Sequence, residues 1–294
     1  MRASDIIMGL IFLAGVLLFG LWLLKTSLGR EALADSMPRR NSMALYIPFI
    51  PLFIWLGPLP LAIQITERLS ADLKDWQKAF LFNLVYCFGA IVVVVVIIFL
   101  VRAGFARKLK GFGFCFKSIY KDFFMAFLNI LAVWPLMMGA IALTIYFCKL
   151  VFGQEYQISQ HEQLELITVF PQWQLRILVI AVAVIIAPVL EEMLFRGLFQ
   201  TVIRSFLESR NSNPNQSQDC LISLPERRNR AWESVFISSG LFAVMHVNMP
   251  HWPALFLLGM CLGYAYEKSG SLFRPIFIHA FFNAVTILFV LLEV

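Results

Sequence analysis

Seven residues of this sequence have the types and spacing to do chemistry together. Glu191 and Glu192 stand side by side in the apolar stretch IIAPVLEEMLFRGLFQ, and Arg196 follows Glu192 by four. Phe242 precedes His246 by four in FAVMH, and His279 precedes Asn283 by four. On a helix a four-residue step keeps two side chains on one face, so Glu192 can pair with Arg196. Glu191, rotated by about 100°, is left to face something else. A carboxylate close to a neutral histidine can take a proton from water and create a nucleophile. A histidine and an asparagine on one face can donate hydrogen bonds to a tetrahedral oxyanion. That set describes peptide hydrolysis through activated water. No serine or cysteine occupies a comparable nucleophile setting, and the sequence contains neither GxSxG nor HExxH.

The elements that must position these residues are transmembrane helices. Of the 294 residues 60% are hydrophobic and 14% charged, against about 25% charged in soluble domains. A water-soluble globule cannot bury so much apolar side chain, so lipid must be part of the solvent. The same figures exclude intrinsic disorder, a collagen-like fibre and a small disulfide scaffold. The fold class expected is an all-α, polytopic membrane bundle of about eight transmembrane helices. Apolar runs fall at approximately 6–24, 44–66, 80–101, 124–151, 173–203, 232–248, 252–267 and 273–293. The sixth and seventh read as a helical hairpin about the Pro250–Pro253 turn. The first has the small-x-small sequence Ala32-Leu33-Ala34 behind it. Its apolar run is too long for a signal peptide, and Lys25 and Arg30 intervene, so it reads as a retained helix. The domain reading is an N-terminal four-helix region, 1–151, and a catalytic region, 173–294, with a polar loop at 205–231 containing Pro214 and Pro225.

Charge sorting gives the orientation. Most Lys and Arg fall in the loops after the first, third, fifth and seventh runs, which makes those loops cytoplasmic and puts both termini outside. The net charge of +6 is therefore read as a membrane-orientation signal and not as nucleic-acid binding. The segment 102–121, with Arg102, Arg107, Lys108, Lys110 and Lys117 among Phe105, Phe112 and Phe114, is expected at the cytoplasmic lipid surface. The five cysteines are odd in number and lack a CxxC pair, so no disulfide framework follows. At about 1.5 Å per residue, Glu191 lies roughly 18 Å and His246 roughly 21 Å from the cytoplasmic surface, with His279 and Asn283 at about 8 and 14 Å. All can face one cavity. An interhelical polar clamp is the bland alternative, but ionisable groups inside a membrane are functional by default. His251, in the NMPHWP turn, reads as structural or interfacial, and His161 as solvated.

The three motifs in this order, Glu191-Glu192-x-x-x-Arg196, Phe242-x-x-x-His246 and His279-x-x-x-Asn283, resemble those of the CAAX protease and bacteriocin-processing family. Its members are intramembrane, glutamate-dependent endopeptidases, and the eukaryotic branch trims prenylated CAAX proteins. The resemblance covers about the last 120 residues of the chain. It implies Glu191 as the base that activates water, assisted by His246, with His279 and Asn283 holding the oxyanion. Glu192, Arg196 and Phe242 would support the site. It also implies a membrane-associated or prenylated peptide substrate, in a bacterial cytoplasmic membrane. No cofactor is expected; zinc is the minority alternative, because catalytic zinc takes three His or Glu-type ligands and asparagine is a poor one. Two other functions stay open: a proton-coupled transporter using the Glu pair as a relay, and a non-catalytic scaffold or immunity protein. The oligomeric state cannot be read.

Overall fold

The computed structural model describes residues 3–156, 162–210, 224–246 and 248–293. His161, Cys220 and the middle of the polar 205–231 loop lie outside the described residues. Among these residues regular structure is helical, with one isolated bridge between Asn41 and Phe105. In chain order the α-helices are α1 (Ala3–Lys25), α2 (Phe49–Leu56), α3 (Pro58–Leu69), α4 (Asp75–Gly104), α5 (Lys108–Phe112), α6 (Ile119–Phe152) and α7 (Glu162–Val169). There follow α8 (Trp173–Ala181), α9 (Ala187–Glu192), α10 (Thr201–Ser209), α11 (Leu224–Val244), α12 (Trp252–Ser269) and α13 (Phe273–Glu293). The eight apolar runs fall on α1, α2–α3, α4, α6, α8–α10, α11, α12 and α13. Five helical stretches are long and apolar enough to cross a membrane: Phe49–Leu69, Asp75–Gly104, Phe116–Phe152, Trp173–Ser209 and Phe273–Leu292. The chain is a polytopic helical membrane bundle.

Sequence explains the interruptions. Pro58 has no N–H to give to a helix, so α2 ends at Leu56, capped by Gly57, and Pro58 opens α3. The α8–α10 stretch is continuous but wound in two registers. Val182–Ile186 and Met193–Gln200 are π-helical, so α9, which carries the Glu pair, lies between two widened turns.

The core is built around α6, α12 and the second π stretch. Ile97, Val101, Met137, Leu194, Leu198, Leu262 and Tyr266 are all fully buried in one cluster. Large apolar side chains such as Phe88 and Phe99 are about 70% exposed. Such outward-facing rings are tolerable where lipid is the solvent.

At one end of the bundle the connecting loops lock together. The Ser42 N–H donates to the Gly104 carbonyl and the Ala106 N–H to the Arg40 carbonyl. Asn41 Nδ2 donates to Ser205 Oγ, and Arg39 Nη2 to the Tyr266 carbonyl. Tyr266 Oη donates to the Phe112 carbonyl, and the Leu272 N–H to the Gly113 carbonyl. The loops after α1, α4 and α12 therefore meet the end of α10 on one side. The segment 102–121 differs from expectation in one respect. Its basic residues Arg102, Arg107, Lys108, Lys110 and Lys117 are exposed, yet Phe105 and Phe112 are buried, with their rings edge-on at 5.4 Å. These two rings face protein, not lipid, because Gly197 leaves a slot for Phe112: a Cβ there would sit 2.1 Å from the ring.

Candidate active site

The Glu pair is sorted by partners. Glu192 is fully buried, and so is Arg196. Arg196 Nη1 donates to Glu192 Oε1 at 3.2 Å, while its Nε lies 3.2 Å from Oε2. The guanidinium also donates through Nη2 to the Gly259 carbonyl and stands 4.4 Å over the Phe242 ring. Among the described residues Glu191 has neither a hydrogen bond nor an arginine partner. Its Oε2 is buried without a hydrogen-bond partner, and its side chain is 12% exposed.

His279, from α13, joins the two carboxylates. Its Nδ1 is 2.9 Å from Glu192 Oε1 and its Nε2 is 3.9 Å from Glu191 Oε2. A carboxylate only accepts, so Nδ1 carries a proton and Nε2 is the ring atom turned toward Glu191. Arg274 steadies this helix one and a half turns earlier. It is bound at Nε and Nη2 to Oδ1 of the buried Asp122 of α6, at 3.0 and 2.9 Å, and Ser118 Oγ donates to Oδ2.

His246 lies just past the end of α11. Its Nδ1 donates to the Phe242 carbonyl at 2.9 Å, one of the carbonyls a helix end leaves without an N–H. Nε2 is thereby left as the lone-pair nitrogen. Trp252 Nε1 holds the His246 carbonyl at 2.7 Å. The Phe242 ring is edge-on to both imidazoles, at 4.8 Å from His246 and 5.7 Å from His279. It is fully buried and makes the hub between three charged or ionisable groups. Asn283 stands apart from this hub: its Nδ2 donates to the Ala183 carbonyl at 2.7 Å, inside the first π stretch. His251 is half-buried in the Met249–His251 turn. Among the described residues no three His, Cys, Asp or Glu side chains gather at metal-ligand spacing.

The sequence reading passed over the neighbours of Arg196. Glu192, Arg196, Gln200 and Arg204 follow one another at steps of four, and all are buried. Opposite them on α12 stand Gly259, Gly263 and Glu267, also at steps of four. Arg196 donates to the Gly259 carbonyl, and Gln200 Nε2 to the Gly263 carbonyl and to Glu267 Oε1. Arg204 Nη1 pairs with Glu267 Oε2 and with Ser36 Oγ, and Nη2 donates to the Ser36 carbonyl. In an α-helix each four-residue step drifts by about 40°. A π stretch, with about 4.4 residues per turn, drifts back by a similar angle. The π winding of Met193–Gln200 thus keeps the ladder on one face. The matched ExxxR-type and GxxxG-type stripes were the available signal.

Two carboxylates and two histidines are thus gathered inside a helical membrane bundle. Residues 172–285, less than half of the chain, match the family model described as type II CAAX prenyl endopeptidase Rce1-like. That model is of the CAAX protease and bacteriocin-processing family, so this segment of the chain is similar to that family. The comparisons with curated proteins and with solved structures return no match.

Proposed function

We propose that the protein is an intramembrane endopeptidase that hydrolyses peptide bonds with water activated at Glu191. The observation that carries this reading is the asymmetry of the Glu pair. Glu192 is locked by Arg196 and His279, whereas Glu191 has a buried, unpartnered oxygen 3.9 Å from His279 Nε2. Two acceptors at that separation can hold one water between them. Glu191 takes a proton from this water as its oxygen attacks the scissile carbonyl carbon. The proton then passes to the leaving nitrogen, so the carboxylate is restored when the C–N bond breaks. Glu192 keeps His279 in the tautomer that presents Nε2, the role a carboxylate plays behind a catalytic histidine. His246 Nε2 is the group available to the developing oxyanion, as donor only when protonated, while Asn283, bound to the Ala183 carbonyl, ties α13 to the first π stretch.

The reading is of chemistry without a metal, since catalytic zinc takes three protein ligands and among the described residues no three His, Cys, Asp or Glu side chains gather at that spacing. The substrate is a membrane-associated peptide, prenylated or not. The loops after α1, α4 and α12 meet on one side of the bundle. By the excess of Lys and Arg there, that side is cytoplasmic and both termini are outside.

The test is cleavage of membrane-embedded and prenylated peptides by purified protein. Glu191→Gln and His279→Ala are each expected to lower the rate by about 10²–10⁴-fold, the usual worth of a positioned acid–base group. Wild-type rates in both variants would remove the site assignment. Loss of activity in chelator, restored by zinc, would overturn the metal-free mechanism.

A further inference from the structure

A surface groove away from the active-site residues is lined by α1, the turn after it, α11 and α12. Its outer part, a cavity of about 380 Å³, is lined by Arg30 and Arg228 together with Trp22, Gly29 and Trp232. It continues past Asn229 and Trp232 into a longer cavity of about 610 Å³ floored by Phe236, Ile237 and Met260. Among the described residues neither Arg30 nor Arg228 has a carboxylate partner.

Two features show that this groove is built. Its wall is an aromatic stack: Trp232 lies parallel on Tyr264 at 5.9 Å, and Trp22 meets the same ring edge-on at 5.5 Å. Trp22 Nε1 donates to Tyr264 Oη at 2.9 Å. Indoles and phenols with a polar edge collect at the level where hydrocarbon gives way to water. Its rim is a strained turn. Ser27 and Leu28 have φ of 51° and 58°, left-handed values that side chains rarely adopt, and they lead into Gly29 at 83°. The turn is held by Leu28 N–H to the Leu23 carbonyl and by Gly29 N–H to Thr26 Oγ1. Such strain persists where the surroundings fix it, and it collects at ligand-binding segments.

We infer that this groove is a binding site for a single anionic phospholipid, with its phosphate between Arg30 and Arg228 and an acyl chain along Phe236, Ile237 and Met260. The gradient of the lining matches that molecule. Guanidinium groups at the outer end suit phosphate oxygens, which they bind in bidentate fashion. The interfacial aromatics lie at the glycerol level, and the apolar floor follows α11 toward the bilayer interior. A second protein helix would meet an unpaired Arg pair without a counter-charge. Glu233 also lines the inner cavity; it is exposed, and its charge opposes an anionic occupant. The inference is independent of the peptidase reading.

Native mass spectrometry of the full chain, delipidated in detergent and titrated with phosphatidylglycerol or with phosphatidylcholine of the same chain length, tests it. One tightly held phosphatidylglycerol is expected, with phosphatidylcholine binding weakly. Arg30→Ala/Arg228→Ala is expected to weaken phosphatidylglycerol by about thirtyfold, at about fivefold per basic residue, and to leave phosphatidylcholine unchanged. Glu233→Gln is expected to strengthen it. Equal binding of the two lipids, or unchanged binding by the double variant, would overturn the site. So would the same loss in Lys108→Ala/Lys110→Ala, which alters the exposed basic segment elsewhere. A lipid-free dimer that the arginine double variant dissociates would give the groove to a second copy instead.

Discussion

Glu191 and Glu192 are adjacent in sequence, but only Glu192 has a buried counter-charge. Neutralising each therefore has a different cost. Glu192→Gln leaves Arg196 fully buried without its carboxylate. Removing one member of such a pair costs about 3–5 kcal/mol, so this variant is expected to melt well below wild type in detergent. Glu191→Gln removes a charge with no arginine to strand, and its melting temperature is expected to stay near wild type or to rise. Equal melting shifts for the two would show that the Arg196 pairing is not what distinguishes them. At this scale the sequence was informative, because a four-residue step from Glu192 to Arg196 is enough to predict the pair. It could not show that His279 would stand on both carboxylates, or that Phe242 would touch both histidines. Those contacts join residues far apart in the chain.

At the scale of elements, the helix that carries the Glu pair is positioned by small residues on itself and its neighbours. Phe112 of α5 fills the slot at Gly197, one residue after Arg196. Gly197→Ala puts a methyl group into that ring, and overpacking of this kind costs about 1–3 kcal/mol. The expected result is a lower melting temperature that Phe112→Leu in the same molecule partly restores. Additive losses in the double variant, measured as a mutant cycle, would show that the two residues do not meet. Gly263 plays the matching part on α12, where a Cβ would lie 2.7 Å from Gln200 Oε1 and 2.9 Å from Val235 Cγ1. Close approach is what lets the Arg196 and Gln200 side chains reach α12 backbone carbonyls. The apolar periodicity of the long span gave its length, but the π winding that keeps Glu192, Arg196, Gln200 and Arg204 on one face leaves no mark in hydropathy.

At the scale of the whole molecule, the N-terminal helices are tied to the helices of the site by buried polar links. Ser36, in the loop after α1, binds both Arg204 and Glu267, which are nearly inaccessible to solvent. Asp122 of α6 holds Arg274 at the start of α13. An ion pair of this kind fixes a partner more than it stabilises, because desolvation offsets much of the attraction. Accordingly Glu267→Leu alone is expected to lower the melting temperature more than Arg204→Met/Glu267→Leu together. Should the double variant melt lower than the single, the remaining arginine is satisfied without Glu267 by Ser36 and by Glu208, whose Oε1 lies 3.2 Å from Arg204 Nε.

What the sequence by itself determined is the solvent and the list of groups. Too few charges for water, in apolar runs of spanning length, leave a membrane bundle as the fold, and its few interior polar residues are legible because each is costly there. Their family order could be read from four-residue spacings, since a helix turns local spacing into a shared face. The tertiary structure decided the partners: which glutamate is locked, which nitrogen of each histidine is free, and that Phe105 and Phe112 of 102–121 pack on protein. Those outcomes depend on crossings between helices distant in sequence, where a missing Cβ at Gly197 or Gly263 sets how closely two backbones approach. The low charge content thus named the class, and the packing of helices around those charges made the candidate site.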